Sequence, residues 1–169
     1  QARSSPMSQQ RWRLDGQLAL VTGGSAGIGR AIARELLGFG ARVLIAARDG
    51  NGLDAVRIEL EEEFPDGEVR TCVADVADDE QRRELLDWVE DIGDGLNILV
   101  NNAGGNLTKA AIDYSEDEWR GIFEVNLFSA FELARSTYPL LTKHAASCIV
   151  NVGSVSAITH VRSGAPYGM

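Results

Sequence analysis

Along residues 17–152, short apolar runs alternate with longer segments of helical period, and few folds accept that alternation. The runs lie at 17–22, 41–46, 68–74, 96–100 and 147–152, each of strand length. Ile28, Ala31, Ile32, Glu35 and Leu36 mark a helix over 28–39, stopped by Gly40. A polar-faced helix over 52–63 closes at Pro65-Asp66-Gly67. Asp78 with Gln81, and Ser115 with Glu118, have capping-box spacing. The first opens a helix to about residue 92, the second a long helix through Phe123, Leu127, Phe131 and Leu133 toward Leu140. Strands that alternate with helices predict an α/β fold, a doubly wound parallel sheet in a three-layer αβα sandwich. The expected domain is 15–169, behind a flexible N-terminal arm over 1–14. Such sheets bind ligands past the carboxyl ends of their strands.

Composition narrows the partners. The 169 residues carry a formal net charge of −9, which argues against nucleic acid or an anionic membrane as a partner. No run reaches the ~18 apolar residues of a membrane helix. Cys72 and Cys148 each sit in an apolar run, so both are expected as buried free thiols, with no metal site and a cytoplasmic location. His144 and His160 have no partner spacing and receive no role.

Every chemically suggestive string follows a strand. The first is Thr22-Gly23-Gly24-Ser25-Ala26-Gly27-Ile28-Gly29. Glycines let a backbone approach a pyrophosphate, and the helix that follows offers free N–H groups. Gly23, Ser25, Ala26, Gly27, Ile28 and Gly29 are therefore candidate cofactor contacts. The second strand ends in Ala46-Ala47-Arg48. A site selective for NAD places a carboxylate there for the ribose 2′-hydroxyl, whereas an arginine suits a 2′-phosphate. NADP(H) is expected ahead of NAD(H), the other reading of Arg48 being a solvated surface charge. Asp75-Val76 follow the third strand, Asn101-Asn102-Ala103-Gly104 the fourth, and Ser154 the fifth, with Tyr167 thirteen positions on.

The T-G-x-x-x-G-x-G loop, the N-N-A-G string, Asn126 and the Ser154–Tyr167 spacing together resemble the short-chain dehydrogenase/reductase family, from Leu18 onward. The strings Trp12-Arg13-Leu14-Asp15-Gly16 and Ala165-Pro166-Tyr167-Gly168-Met169 are most similar to tropinone-reductase-like members. The resemblance implies a Rossmann-type fold, with Asp75 and Val76 at the adenine and Asn102, Ala103 and Gly104 beside the nicotinamide ribose. It implies hydride transfer between NADP(H) and a small carbonyl or alcohol substrate. Tyr167 would then serve as proton donor or acceptor, Ser154 would hydrogen-bond the reacting oxygen, and Asn126 would hold a relay water. A free phenol has a pKa of about 10; the family lowers it with a lysine four residues after the tyrosine. That position is 171, past Met169, and two more strands would follow to cover the last one. The chain is therefore expected to continue, and the complete protein to form a homodimer or homotetramer using Phe123, Phe128 and Phe131. Two other readings stay open: a nucleotide-binding protein without catalysis, and an inactive fragment.

Overall fold

A computed structural model describes residues 12–159 and 164–168. Residues 1–11 of the expected arm, His160 and Met169 lie outside the described residues. Five parallel strands, β1 (Leu18–Thr22), β2 (Arg42–Ala47), β3 (Val69–Val73), β4 (Ile98–Asn101) and β5 (Cys148–Asn151), form one sheet in the order β3-β2-β1-β4-β5. The helices are α1 (Gly27–Gly38), α2 (Gly50–Glu63), α3 (Asp79–Ile92), α4 (Glu116–Phe123) and α5 (Ser129–Leu141).

Alternation along each strand builds the layers, because successive side chains point to opposite faces. Ala19 and Val21 of β1, Val43 and Ile45 of β2 and Ile98 and Val100 of β4 pack on α1 and α2 through Ala33, Leu37, Leu53, Val56 and Leu60. Their neighbours Leu18, Leu20, Leu44, Ala46 and Leu99 pack on α3 and α5 through Leu85, Val89, Leu133, Leu140 and Leu141. The expected three-layer, doubly wound sheet is thus present, and the chain reverses its winding between β1 and β4.

Several expectations need correction. Cys148 is exposed, because β5 is an edge strand exposed at all four positions; Cys72 is only half-buried, and that burial raises its thiol pKa. Asp78 caps α3 through Glu80 N and Gln81 N, but Gln81 does not reciprocate. Its Oε1 instead accepts Asp75 N at 2.9 Å, fixing the loop after β3. Ser115 and Glu118 do form the full capping box. The long helix that follows is interrupted by a π-helical turn at Glu124–Phe128, between α4 and α5. No helix among the described residues is long and apolar enough to cross a membrane.

Ion pairs at the periphery predict a pH response. Hydrogen bonds from Arg34, Arg42 and Lys109 hold Glu63, Glu68 and Glu118, respectively, below their ordinary value of 4.5. A carboxylate depressed in the folded state contributes fully above its unfolded pKa, and the contribution is lost as pH falls through the folded value. The thermal midpoint should stay level down to pH 4.5 and then fall, in a melting series carried to about pH 3. A midpoint that drops already between about pH 7 and 5 would contradict this assignment.

Candidate functional site

The glycine loop folds over the end of β1 because side chains would clash or be strained at its glycines. Gly23 has φ +65°, and a Cβ there would lie 2.8 Å from Ala103 Cα. Gly27 has φ +55°, in the region where side chains are strained. Gly29 is buried, and a Cβ on it would meet Asn102 Nδ2 at 2.4 Å and Gly23 O at 2.5 Å. Gly29 therefore brings α1 up under the loop. At the head of α1, Ala26 is the N-cap and supplies no side-chain cap, so the first N–H groups face outward with the positive end of the helix dipole. Ala26, Gly27 and Ile28 are exposed along this rim.

Asn102 ties the loop to β4. Its Nδ2 donates to Thr22 O at 2.9 Å and Gly23 O at 3.1 Å. The Thr22 hydroxyl accepts Asn102 N and Ala103 N, both at 3.1 Å, and donates to Val100 O at 3.3 Å. Spacing showed none of this lacing, because its partners are about eighty residues apart.

Two clefts open above the sheet and share the wall Ala103–Gly104. The first, about 460 Å³, is lined by Gly23, Ser25, Arg48, Asp75 and Val76, with Ala46, Ala47, Asp49, Ala74 and Val125. Arg48 is exposed, and its Nη1 lies 3.7 Å from Asp75 Oδ2, a loose ion pair between two lining residues. Asp75 Oδ1 also accepts Ala77 N at 3.0 Å, which holds the carboxylate in its loop. Ala46 and Ala47 at the end of β2 and Ala74 just after β3 contribute only small side chains to this wall.

The second cleft, about 360 Å³, brings together Asn126, Ser154 and Tyr167 with Ile28 and Asn102. The strand ends supply Asn101, Asn151 and Gly153, and Phe123, Leu127 and Pro166 add apolar wall. Ser154 caps the 3₁₀ turn Val155–Ala157: its Oγ accepts Ser156 N at 3.2 Å, leaving the hydroxyl proton free to donate. Tyr167 is half-buried in the 3₁₀ turn Ala165–Gly168, its N–H bonded to Gly164 O at 2.9 Å.

Asn126 sits in the π turn, whose wider loop alters the carbonyl pattern of the preceding helix. Its Nδ2 donates to Ile122 O and Gly105 O, both at 2.8 Å, and its Oδ1 accepts Gly105 N at 3.0 Å. Both amide protons are spent on backbone, so Asn126 braces the segment after β4, and only the remaining acceptor capacity of Oδ1 is left for a water. Lys109 supports the same segment, its Nζ 2.7 Å from both Glu118 carboxylate oxygens and 3.2 Å from Asp113 O. Among the described residues, no three of His, Cys, Asp and Glu are grouped to hold a metal ion.

The family model described as short chain dehydrogenase matches residues 17–169. A tropinone reductase homolog of Arabidopsis thaliana is 41% identical over 160 residues, covering 94% of this chain and 59% of the relative. The chain thus spans about three fifths of the length of that curated relative. Among solved structures, the Pseudomonas aeruginosa RhlG/NADP active-site complex superposes with TM-score 0.86 at 34% identity, covering 93% of this chain and 62% of that one. L-sorbose reductase of Gluconobacter frateurii, complexed with NADPH and L-sorbose, gives TM-score 0.89 at 28% identity, with 93% and 59% covered.

Proposed function

The chain belongs to the short-chain dehydrogenase family, and from that premise we propose that it is the cofactor-binding and proton-transferring part of an oxidoreductase that moves a hydride between NADP(H) and a carbonyl or alcohol carbon of a small organic substrate. The observation that carries this reading is the pair of clefts joined at Ala103–Gly104, one with the residues for an adenosine and its phosphate, the other with Ser154 and Tyr167. The residues present fit a dinucleotide. The Gly23 turn and the uncapped head of α1 suit a pyrophosphate, and small side chains open the adenosine end.

The bound nicotinamide supplies or accepts the hydride. In the direction of reduction, the Ser154 hydroxyl donates a hydrogen bond to the substrate oxygen as negative charge gathers there. Acceptance of the Ser156 N–H polarises that hydroxyl and makes it a better donor. Tyr167 gives its phenolic proton to the same oxygen and takes it back in oxidation. Asn126 positions the floor of the cleft through Gly105.

At the adenosine end, Arg48 exchanges its loose Asp75 partner for the 2′-phosphate, and Ser25 adds a hydroxyl. Asp75 is then free for the adenine amine, beside Val76. This favours NADP(H) over NAD(H). Arg48→Glu is expected to lower the ratio of kcat/KM for NADPH over NADH by roughly 10- to 100-fold, the worth of a charge-assisted hydrogen bond of about 1.5–3 kcal/mol. An unchanged ratio would return Arg48 to the role of a surface charge.

The acidic balance and the unpaired cysteines support a cytoplasmic setting. Exposed Phe128, at the end of the π turn, and Phe131 beyond it support self-association of the full-length protein as a dimer or tetramer. The direct test of the function is NADPH oxidation by the full-length protein over a panel of ketones and aldehydes. Tight NADPH binding without turnover of any of them would favour a non-catalytic nucleotide-binding protein instead.

A further inference from the structure

We infer that Asn151 is a positioning residue for the reaction, acting through Ser154; this rests on the oxidoreductase reading above. Strands β4 and β5 end on one register pair, Asn101 opposite Asn151. Asn101 is 6% exposed. Its Nδ2 donates to Asn151 Oδ1 at 2.9 Å and to Ala130 O of α5 at 3.2 Å. Its own Oδ1 is buried without a partner. The ties this amide makes within the protein are thus the two that its N–H groups donate.

What they hold is the frame of the catalytic cleft. Val152 N donates to Asn101 O at 2.9 Å, the last backbone bond between these strands. Beyond it comes Gly153, which is exposed and has no side chain to anchor the step to Ser154. Val152 packs against the core, and the Asn101–Asn151 bond is, among the described residues, the last side-chain hydrogen bond before Ser154, three residues on. The next residue of the same strand end, Asn102, grips the glycine loop through Thr22 O and Gly23 O. One end of β4 thus sets the Ser154 segment against the cofactor loop, and Asn101 and Asn151 both line the cleft between them. Asn151 supplies only the acceptor in this frame, so an oxygen at its δ position is the property that matters.

The test uses the full-length protein with NADPH and a carbonyl compound it turns over. Asn151→Leu removes the acceptor while keeping the branching at Cγ, and Asn151→Asp keeps the acceptor. The leucine variant should lose about tenfold in kcat with KM for NADPH unchanged, and the aspartate variant should recover most of that loss. In a Ser154→Ala background the leucine change should cost nothing further, because its effect passes through the serine. Should the leucine variant not fold, Asn151→Ala removes the same acceptor without added bulk and is read in the same way. A lowered thermal midpoint with kcat intact, or a loss that adds in full to Ser154→Ala, would overturn the assignment and leave Asn151 a strand-end residue. Wild-type protein that turns over no carbonyl or alcohol, or whose kcat is indifferent to Ser154→Ala, would instead remove the oxidoreductase reading, and this assignment with it.

Discussion

Tyr167→Phe should lower kcat for carbonyl reduction by about 10²–10⁴-fold while leaving NADPH affinity within about twofold of wild type. The change deletes one oxygen and its proton and keeps the ring that packs beside Pro166 in the cleft. Without the phenol, the oxygen that gains charge as hydride arrives has no acid to neutralise it. Ser154 can still donate to that oxygen, so some turnover should persist. Binding should hold because the adenosine cleft, with Arg48, Asp75 and Val76, has no contribution from Tyr167. Fluorescence titration with NADPH and steady-state kinetics on the same preparation separate the two effects. A kcat within about threefold of wild type would remove Tyr167 from the chemistry, since proton transfer by a positioned side chain contributes far more than that. A parallel loss of NADPH affinity would mean that the tyrosine shapes the site without serving as its acid.

The second large effect is expected at Gly29. Even alanine there places a Cβ 2.5 Å from Gly23 O and 2.4 Å from Asn102 Nδ2, and the first of these is backbone that cannot swing aside. Helix α1 must then retreat from the loop, or the loop must lift away from Asn102. The overpacking cost is about 1–3 kcal/mol. NADPH affinity should fall by roughly 10- to 100-fold as well, because the turn proposed for the pyrophosphate is the part displaced. The same substitution at Gly121, inside α4, meets nothing within 4 Å and involves no positive φ. There it should raise stability by about 0.5–1 kcal/mol, since alanine loses less backbone freedom than glycine in a helix. Thermal melts and NADPH titrations of the two variants side by side check both signs. A Gly29→Ala protein with native stability and affinity would mean that the loop is not packed on α1 as described.

Much of this architecture was legible in the chain because the signals are local. Apolar runs, helical period and capping residues act within a few positions, so the five strands, the start of α3 at Asp78 and the Ser115–Glu118 box could be read directly, with boundaries close to those observed. The glycine loop was legible for the same reason, as a turn between strand and helix whose glycines have no substitute. The serine and tyrosine came from the resemblance of their spacing to the family pattern, which says nothing of where they meet; one cleft containing both depends on how the segments after β5 fold back toward α4.

What the chain could not say concerns partners far apart in sequence. Alternation in a strand names the buried face but not the neighbour, so the order β3-β2-β1-β4-β5 had to come from packing. Gln81 has the spacing of a capping partner, yet its side chain serves Asp75, because the loop after β3 passes within reach. The π turn at Glu124–Phe128 leaves no mark on apolar periodicity, although it sets where Asn126 points. Cys148 reads as buried from its apolar run and is exposed, because burial on an edge strand depends on what lies beyond it. By itself, then, the sequence determined the elements and the glycine turn, since these rest on local geometry, and its resemblance to the family named Ser154 and Tyr167 as candidates. Tertiary structure alone decided which strand ends meet, how Asn101 and Asn102 lace them, and that Ser154 and Tyr167 share a cleft, because those are contacts between distant segments whose geometry no local preference encodes.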